Sequence, residues 1–409
     1  MIPNIEKRIE TFQEKAFGLF VHYGPYVQYE NGEWALKIRQ HDPKEYEAKA
    51  LACDYSSFDA NNLIESAKLA GAKYITFTSR HHDGFSLYDT KGLSDYDIMH
   101  TPNGKDIIGE FVKACHDNDI MPFIYHTTLD WHHKKFDGNF KEYLKYLRAS
   151  IEIICTNYGE IGGFWFDGNW SKPDEDWEPD ALYGIIRKHQ PDAIIINNTG
   201  LHEQGVYGHK EIDCVTFEQG SPQLLTCEGM KKFYVGEMCY PLSDHWGIAT
   251  DINIKSMKQI LEAMVSCRRV GGNFLLGIAT KIDGSQPCIH KGFLEEIGKW
   301  VKMNQDVFYN GAVTDIVGSG NDFVLELEDK LYCFMHDVNA GGDVNVTKLS
   351  GPRPYGMFKN VTRKIQSARW TDNGRCIPFT QNLEQGLLFV EPTPFEYGER
   401  WIVRVAELA

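Results

Sequence analysis

Several familiar signatures are missing from this chain, and each absence closes a route. Its 10 cysteines are scattered, none closer together than Cys227 and Cys239, which excludes zinc-ribbon and CxxC redox spacing. Most lie in apolar runs, such as Cys155 in IEIIC and Cys333 in LYCFM, where a reduced thiol packs as a small hydrophobe. No block of Lys and Arg interrupts a formal charge of −15, so the basic footprint that nucleic acid or an anionic membrane needs is lacking. No uncharged apolar run is long enough to span a membrane, and the opening MIPNIEKRIETFQEKAF is charged and amphipathic, without an apolar h-region. Together with reduced cysteines, this sets the expectation of a cytoplasmic protein. There is no Gly-rich phosphate loop after the first strand, no HExxH and no GxSxG elbow, which disfavours a doubly wound sheet, a zinc site and a serine nucleophile. Repeats and low-complexity tracts are also absent.

What is abundant is aromatic side chains, 13% of the 409 residues including 9 Trp. Such an excess fills cores, but Trp and Tyr are also platforms for the apolar C–H face of a sugar ring. Short apolar runs followed by stretches of helical period mark the first two thirds as repeated βα units. Eight runs read as strands: 17–22, 73–79, 121–126, 163–167, 193–197, 214–218, 232–237 and 273–278. Helical periods cover 61–70, 107–118, 143–158, 181–189 and 254–270, although the link between the sixth and seventh runs is too short for a full crossover helix. Eight parallel strands with outer helices predict an α/β fold, a TIM-type (β/α)8-like barrel. A last helix near 288–304 follows. From residue 306 the pattern alternates, as in DFVLELED, KLYCFMHD, DVNVTKL, KIQSARW, GLLFVEP and WIVRVAEL, which predicts an antiparallel β-sandwich. The expected domains are therefore 1–305 and 306–409.

In a barrel the chemistry gathers where the strands end. Here the runs end in His22, in His81, His82 and Asp83, in Tyr125 and His126, in Asp167, in Glu218 and in Glu237. Strands buried on both faces have no reason to end so regularly in titratable groups unless these share a solvated cavity. Two carboxylates facing one pocket suit glycoside cleavage, in which one attacks the anomeric carbon or activates water and the other protonates the leaving oxygen. Asp167 in GGFWFDGNW suits the first task, and Glu218 and Glu237 compete for the second. Taken singly, an Asp after a strand more often caps a loop, and His22 more often sits satisfied in a core; the matching ends of neighbouring strands lift both. Adjacent His81 and His82 point to opposite faces of a strand, which disfavours a shared metal ion and leaves neutral donors to ring hydroxyls as the better reading.

The stretches FGLFVHYG (17–24), EWAL (33–36), SRHHDGFSLYDTKGLSDYDIM (79–99), LDW (129–131), GGFWFDG (162–168), GEMCYPLSDHWGIA (236–249) and GGNFLLGIATKIDG (271–284) resemble, in order, the blocks of the α-L-fucosidases of glycoside hydrolase family 29. The resemblance implies a barrel followed by a β-sandwich, retaining hydrolysis of terminal α-L-fucose from a fucosylated glycan, and no cofactor or metal. It implies Asp167 as nucleophile and His22, Trp34, His81, His82, Tyr125 and Trp165 as fucose contacts. Glu218, in a T-x-E-like context, resembles the usual acid/base, and Glu237, which matches a glutamate of a WE-x-C block, here preceded by Gly236, is then expected to contact the substrate. Two departures stand out: Asn197, Asn198 and Thr199 replace an N-x-R after the fifth strand, and Gly277, Ile278, Ala279 and Thr280 replace Asn-Ile-Gly-Pro. They bear on the mouth of the site and so on linkage preference. A non-catalytic fucose-binding protein on the same fold and a metal-dependent barrel hydrolase are the alternatives. A monomer and a homo-oligomer are equally compatible with the sequence.

Overall fold

The computed structural model describes residues 3–226, 228–343, 345–346 and 353–409. Eight parallel strands close into a barrel in chain order: β1 (Phe17–Val21), β2 (Tyr74–Arg80), β3 (Met121–Thr127), β4 (Gly163–Asp167), β5 (Ile194–Asn198), β6 (Cys214–Thr216), β7 (Val235–Pro241) and β8 (Asn273–Ile278). Pairing of β8 with β1, Phe274 against Phe17, completes the ring. The expected barrel is present, and seven of its strands start within a residue of the expected positions. The seventh runs from Val235 to Pro241, not 232–237. Lys232 is drawn instead into an ionic cluster below, where its Nζ reaches Asp213 and the Ile212 carbonyl. Among the described residues no helix lies between β6 and β7.

The helices of the first part of the chain are α1 (Lys7–Gln13), α2 (Ala35–Ile38), α3 (Pro43–Ala52), α4 (Asn61–Ala70), α5 (Ile107–Asp117), α6 (Phe140–Asn157) and α7 (Pro179–His189), followed in sequence by α8 (Met257–Arg269) and α9 (Cys288–Asn310). Caps explain several boundaries: Asp42 accepts N–H bonds ahead of α3, Asp106 ahead of α5 and Asn139 ahead of α6, each satisfying donors that the first helical turn leaves unpaired. The short amphipathic α1 closes the lower end of the barrel. Its Ile9 and Phe12 join Phe20, Tyr74, Phe123 and Trp165 in one core, with the Phe12 ring 5.1 Å from that of Phe123. Arg8 on the same helix meets Asp213, fully buried just ahead of β6, which also receives Arg187, Lys232 and the Ile195 N–H.

The C-terminal strands β9 (Ala312–Gly318), β10 (Phe323–Leu327), β11 (Lys330–Met335), β12 (Gly356–Lys359), β13 (Ala368–Trp370), β14 (Phe379–Asn382), β15 (Leu387–Val390) and β16 (Arg404–Leu408) are antiparallel in the order 13-16-11-10-9-12-15-14. Residues from both ends of this order, Trp370 and Leu388 among them, share one core with Cys333 and Phe358, so the sheet folds over itself as a sandwich. β9, β12 and β14 were not expected; of the strand expected at DVNVTKL, Val344 and residues 347–349 lie outside the described residues, and Asn345 and Val346 form a turn. By compactness the chain divides into 1–255 with 272–295, and 256–271 with 296–409. Of the described cysteines, Cys288 and Cys376 are exposed, against the expectation of buried thiols, and the others are buried; none forms a disulfide. No described helix is long and apolar enough to cross a membrane.

Candidate active site

Alternation along the strands decides what enters the barrel. In β4 Trp165 points into the interior core, so Asp167, two residues on, points the same way at the upper end; in β5 Ile196 does so, followed by Asn198. Asp167 and Asn198 are register partners. β6 carries Cys214 inward, then Thr216, and Glu218 continues that side just past the strand. A cavity of about 620 Å³ opens here, lined by Phe20, His22, Trp34, His81, His82, Tyr125, Trp165, Asp167 and Glu218, and by Glu33, Trp170, Asn198, Leu201, His202, Glu203, Asp244 and Trp246. Eight of the residues singled out from the sequence therefore meet in one place, whereas Asp83 and His126, which also end strands, do not line the cavity.

Asp167 is held on every side. Its Oδ1 accepts from the Trp170 indole at 2.8 Å and from Asn198 Nδ2 at 3.2 Å; its Oδ2 accepts from the Tyr125 hydroxyl at 3.0 Å and lies 3.4 Å from His82 Nε2. Burial alone would raise its pKa, but His82, Trp170 and Tyr125 outweigh it and hold the carboxyl below its ordinary value, so Asp167 is an anion at neutral pH. Gly168 makes the return of Trp170 possible. Its φ is +115°, and a Cβ there would stand 2.6 Å from the Leu129 backbone nitrogen, so only glycine lets the chain turn this closely beneath Trp170.

Glu218 is displaced the other way. Burial, and next the Asp167 charge, push its pKa up, against hydrogen bonds from Asn198 at 2.9 Å and from Trp246. Two carboxyls in one cavity thus have pKa values driven apart, the arrangement that divides a base or nucleophile from an acid. Asn198 Nδ2 also limits their separation: the two oxygens it serves cannot be more than about 6 Å apart, and N–H bonds diverging by about 120° place them roughly 5 Å apart.

Neutral imidazoles and aromatic rings complete the lining. Burial lowers the His22 pKa to about 3 and takes His81 well below its ordinary value, and Nδ1 of each is buried without a partner. His82 is fixed by a 2.7 Å contact of its Nδ1 with Thr127 Oγ1. Trp34 stands edge-on to Trp131 and His82 and parallel to Trp170, which is 39% exposed at the mouth. Trp165 stacks on Tyr125, and Trp246 on His22.

Glu237 is not in the cavity. It is fully buried one layer below, where Oε1 accepts from the Trp165 indole at 2.9 Å and Oε2 from the Tyr74 hydroxyl at 2.6 Å; with no cation near, burial raises its pKa to about 7. The expected substrate contact is instead a support beneath Trp165. Other lining residues had no role assigned from the sequence, Asn198 being noted there only as a departure at the mouth. Glu33 accepts the backbone N–H groups of Trp246 and Gly247, which fixes the loop that presents Trp246, and Asn198 sits between the carboxyls. Glu33 adjoins Trp34 and Asn198 ends a strand, signals that position each at the mouth; Trp246 lies in a loop and has no such mark. No group of three His, Cys, Asp or Glu able to hold a metal ion occurs among the described residues.

Comparison with known proteins bears on the fold and the family. Mouse tissue α-L-fucosidase is 25% identical over 333 residues, 73% of this chain and 70% of its own length. The chain spans 66 to 70% of the length of the first curated relatives it matches. α-L-Fucosidase isoenzyme 1 of Paenibacillus thiaminolyticus superposes with a TM-score of 0.82 at 25% identity, covering 98% of both chains. An α-L-fucosidase of Bacteroides thetaiotaomicron, solved as a trapped covalent intermediate, shares the fold at a TM-score of 0.79 and 19% identity, covering 100% of this chain and 97% of that one. The profile of the α-L-fucosidase family matches residues 3–306, the stretch that builds the barrel and both of its paired carboxyls, and the chain belongs to that family.

Proposed function

We propose that this chain is an exo-acting, retaining α-L-fucosidase that releases terminal L-fucose from fucosylated oligosaccharides or glycoconjugates. The observation that carries the reading is the carboxyl pair, held about one amide apart with pKa values driven in opposite directions. A spacing of roughly 5 Å fits attack by the carboxylate itself; an inverting enzyme needs about 6.5 to 9.5 Å to admit a water.

The reaction is a double displacement. Ionised Asp167 attacks the anomeric carbon, the C–O bond to the aglycone breaks, and the Glu218 proton passes to the departing oxygen. Glu218, now a carboxylate, removes a proton from water as that water displaces Asp167, which leaves fucose with its configuration retained and both carboxyls as they began. His22 and His81, kept neutral by burial, offer ring nitrogens to sugar hydroxyls, and Phe20, Trp165 and Trp246 supply an apolar wall for the C5 methyl group.

The test is turnover of an aryl α-L-fucoside. Asp167→Ala abolishes it while the fold is kept, and azide restores Glu218→Ala with formation of a fucosyl azide. Appreciable residual activity in Asp167→Ala refutes the nucleophile.

A further inference from the structure

Asn198 stands where the family pattern departs, and all four hydrogen-bonding positions of its amide are in use. One Nδ2 hydrogen goes to Asp167 Oδ1 at 3.2 Å and the other to Glu218 Oε2 at 2.9 Å; Oδ1 accepts from Thr216 Oγ1 at 2.9 Å and from the Gly200 N–H at 3.3 Å. The side chain is 3% exposed. Reversing the amide would turn its oxygen onto two carboxyls and its NH2 onto two donors, so the orientation is settled by its neighbours. Because Oε2 of Glu218 already accepts an N–H, the proton of the acid form belongs on Oε1.

We propose that Asn198 is a positioning residue that gives one N–H to each carboxyl throughout, so that whichever of them bears the charge is already hydrogen-bonded. This rests on the fucosidase reading above. Before the first displacement the anion is Asp167. After it Asp167 is an ester and Glu218 is the anion, with its proton gone to the leaving group. The same amide is bonded to both throughout, so no side chain turns between the two half-reactions, and each ionised form is stabilised only in its own half. The other groups facing the pair are His82, Trp170 and Tyr125 around Asp167, and Trp246 and Glu33 around Glu218. None of these is hydrogen-bonded to both carboxyls.

Asn198→Leu keeps the volume, removes both N–H donors and leaves no room for a substituting water. Loss of hydrogen bonds to charged groups predicts a fall in kcat/KM of about 10- to 100-fold. Both limbs of the pH profile move to higher pH, because the acid limb reports ionisation of Asp167 and the alkaline limb ionisation of Glu218. Thr216→Val, which removes only the hydroxyl that orients the amide, gives a smaller loss with the same direction of movement and decides the matter should Asn198→Leu fail to fold. Carboxyl ¹³C titration of Asp167 and Glu218 reads the same shifts without turnover. An inactive wild type would therefore refute the fucosidase reading and leave this one to the titration. Limbs and titrations that stay put while activity falls, or activity that does not fall, overturn the assignment.

Discussion

Replacing Glu237 by Gln tests whether a buried glutamate near the centre of the barrel supports the site or performs the chemistry. The group is fully buried, its hydrogen-bond partners among the described residues are Tyr74 and Trp165, and its pKa is raised from 4.5 to about 7. A carboxyl raised in the folded state stabilises the fold at low pH, below the unfolded pKa, and that contribution is lost as pH rises through the folded value. A displacement from 4.5 to about 7 corresponds to roughly 3 kcal/mol. Glutamine mimics the neutral acid: its oxygen accepts from Trp165 and its NH2 donates to the Tyr74 oxygen. Urea unfolding of both proteins from pH 4.5 to 8 should show near-equal stability at the acid end and a gain for Glu237→Gln that grows to roughly 3 kcal/mol by pH 7 and then levels off. Activity on an aryl α-L-fucoside should stay within about tenfold, since Trp165 keeps its bond. A variant that loses turnover and regains it with azide would make Glu237 the acid/base and displace Glu218. A stability difference that does not change with pH would refute the buried, uncompensated carboxyl.

Other outcomes follow from features below and above the site. Asp213→Ala strands Arg8, Arg187 and Lys232 around an empty position and should cost about 3 to 5 kcal/mol, read as a fall in melting temperature; an unchanged melting curve refutes the cluster. Burial would raise the Asp213 pKa, but its three cations hold it below the ordinary carboxylate range, so its contribution is present at neutral pH and disappears as pH falls through that low value. At the mouth the lining includes Glu33, Glu203 and Asp244 with no Lys or Arg. The exposed pair, Glu203 and Asp244, each repel an anion roughly 8 Å away by about 0.5 kcal/mol, so a sulfated aglycone should lower kcat/KM several-fold relative to its neutral counterpart, and added salt should narrow the gap. Equal rates at low ionic strength would refute it.

The barrel is legible in the sequence because strands buried on both faces leave unbroken apolar runs, and Asp167 or His22 is legible because it ends one. Glu237 shows where that reasoning breaks. With the seventh strand set at 232–237 it stands at the mouth; with the strand at 235–241 it is the third residue of seven and lies in the interior. Lys232–Tyr234 has the composition of a strand, and only the attraction of Lys232 to Asp213, nineteen positions away, takes it out of register. In the sandwich, β9 and β14 have no fully buried residue and carry little hydrophobic contrast. Glu33 and Trp246 are joined by bonds across more than two hundred residues, a proximity that no local pattern records.

β5 and β6 share a single register pair, Ile196 with Cys214, whereas every other neighbouring pair in the barrel has more. Asn198 and Glu218 stand directly above this seam, and the chain leaves it through two long connections, 199–213 and 217–234, with no helix or strand among their described residues. A wall with so few cross-strand bonds loses little cohesion when the segments hanging from it change in length. A change of length in either connection would therefore reshape the space beside the carboxyl pair while the remaining strands of the cylinder keep their pairing.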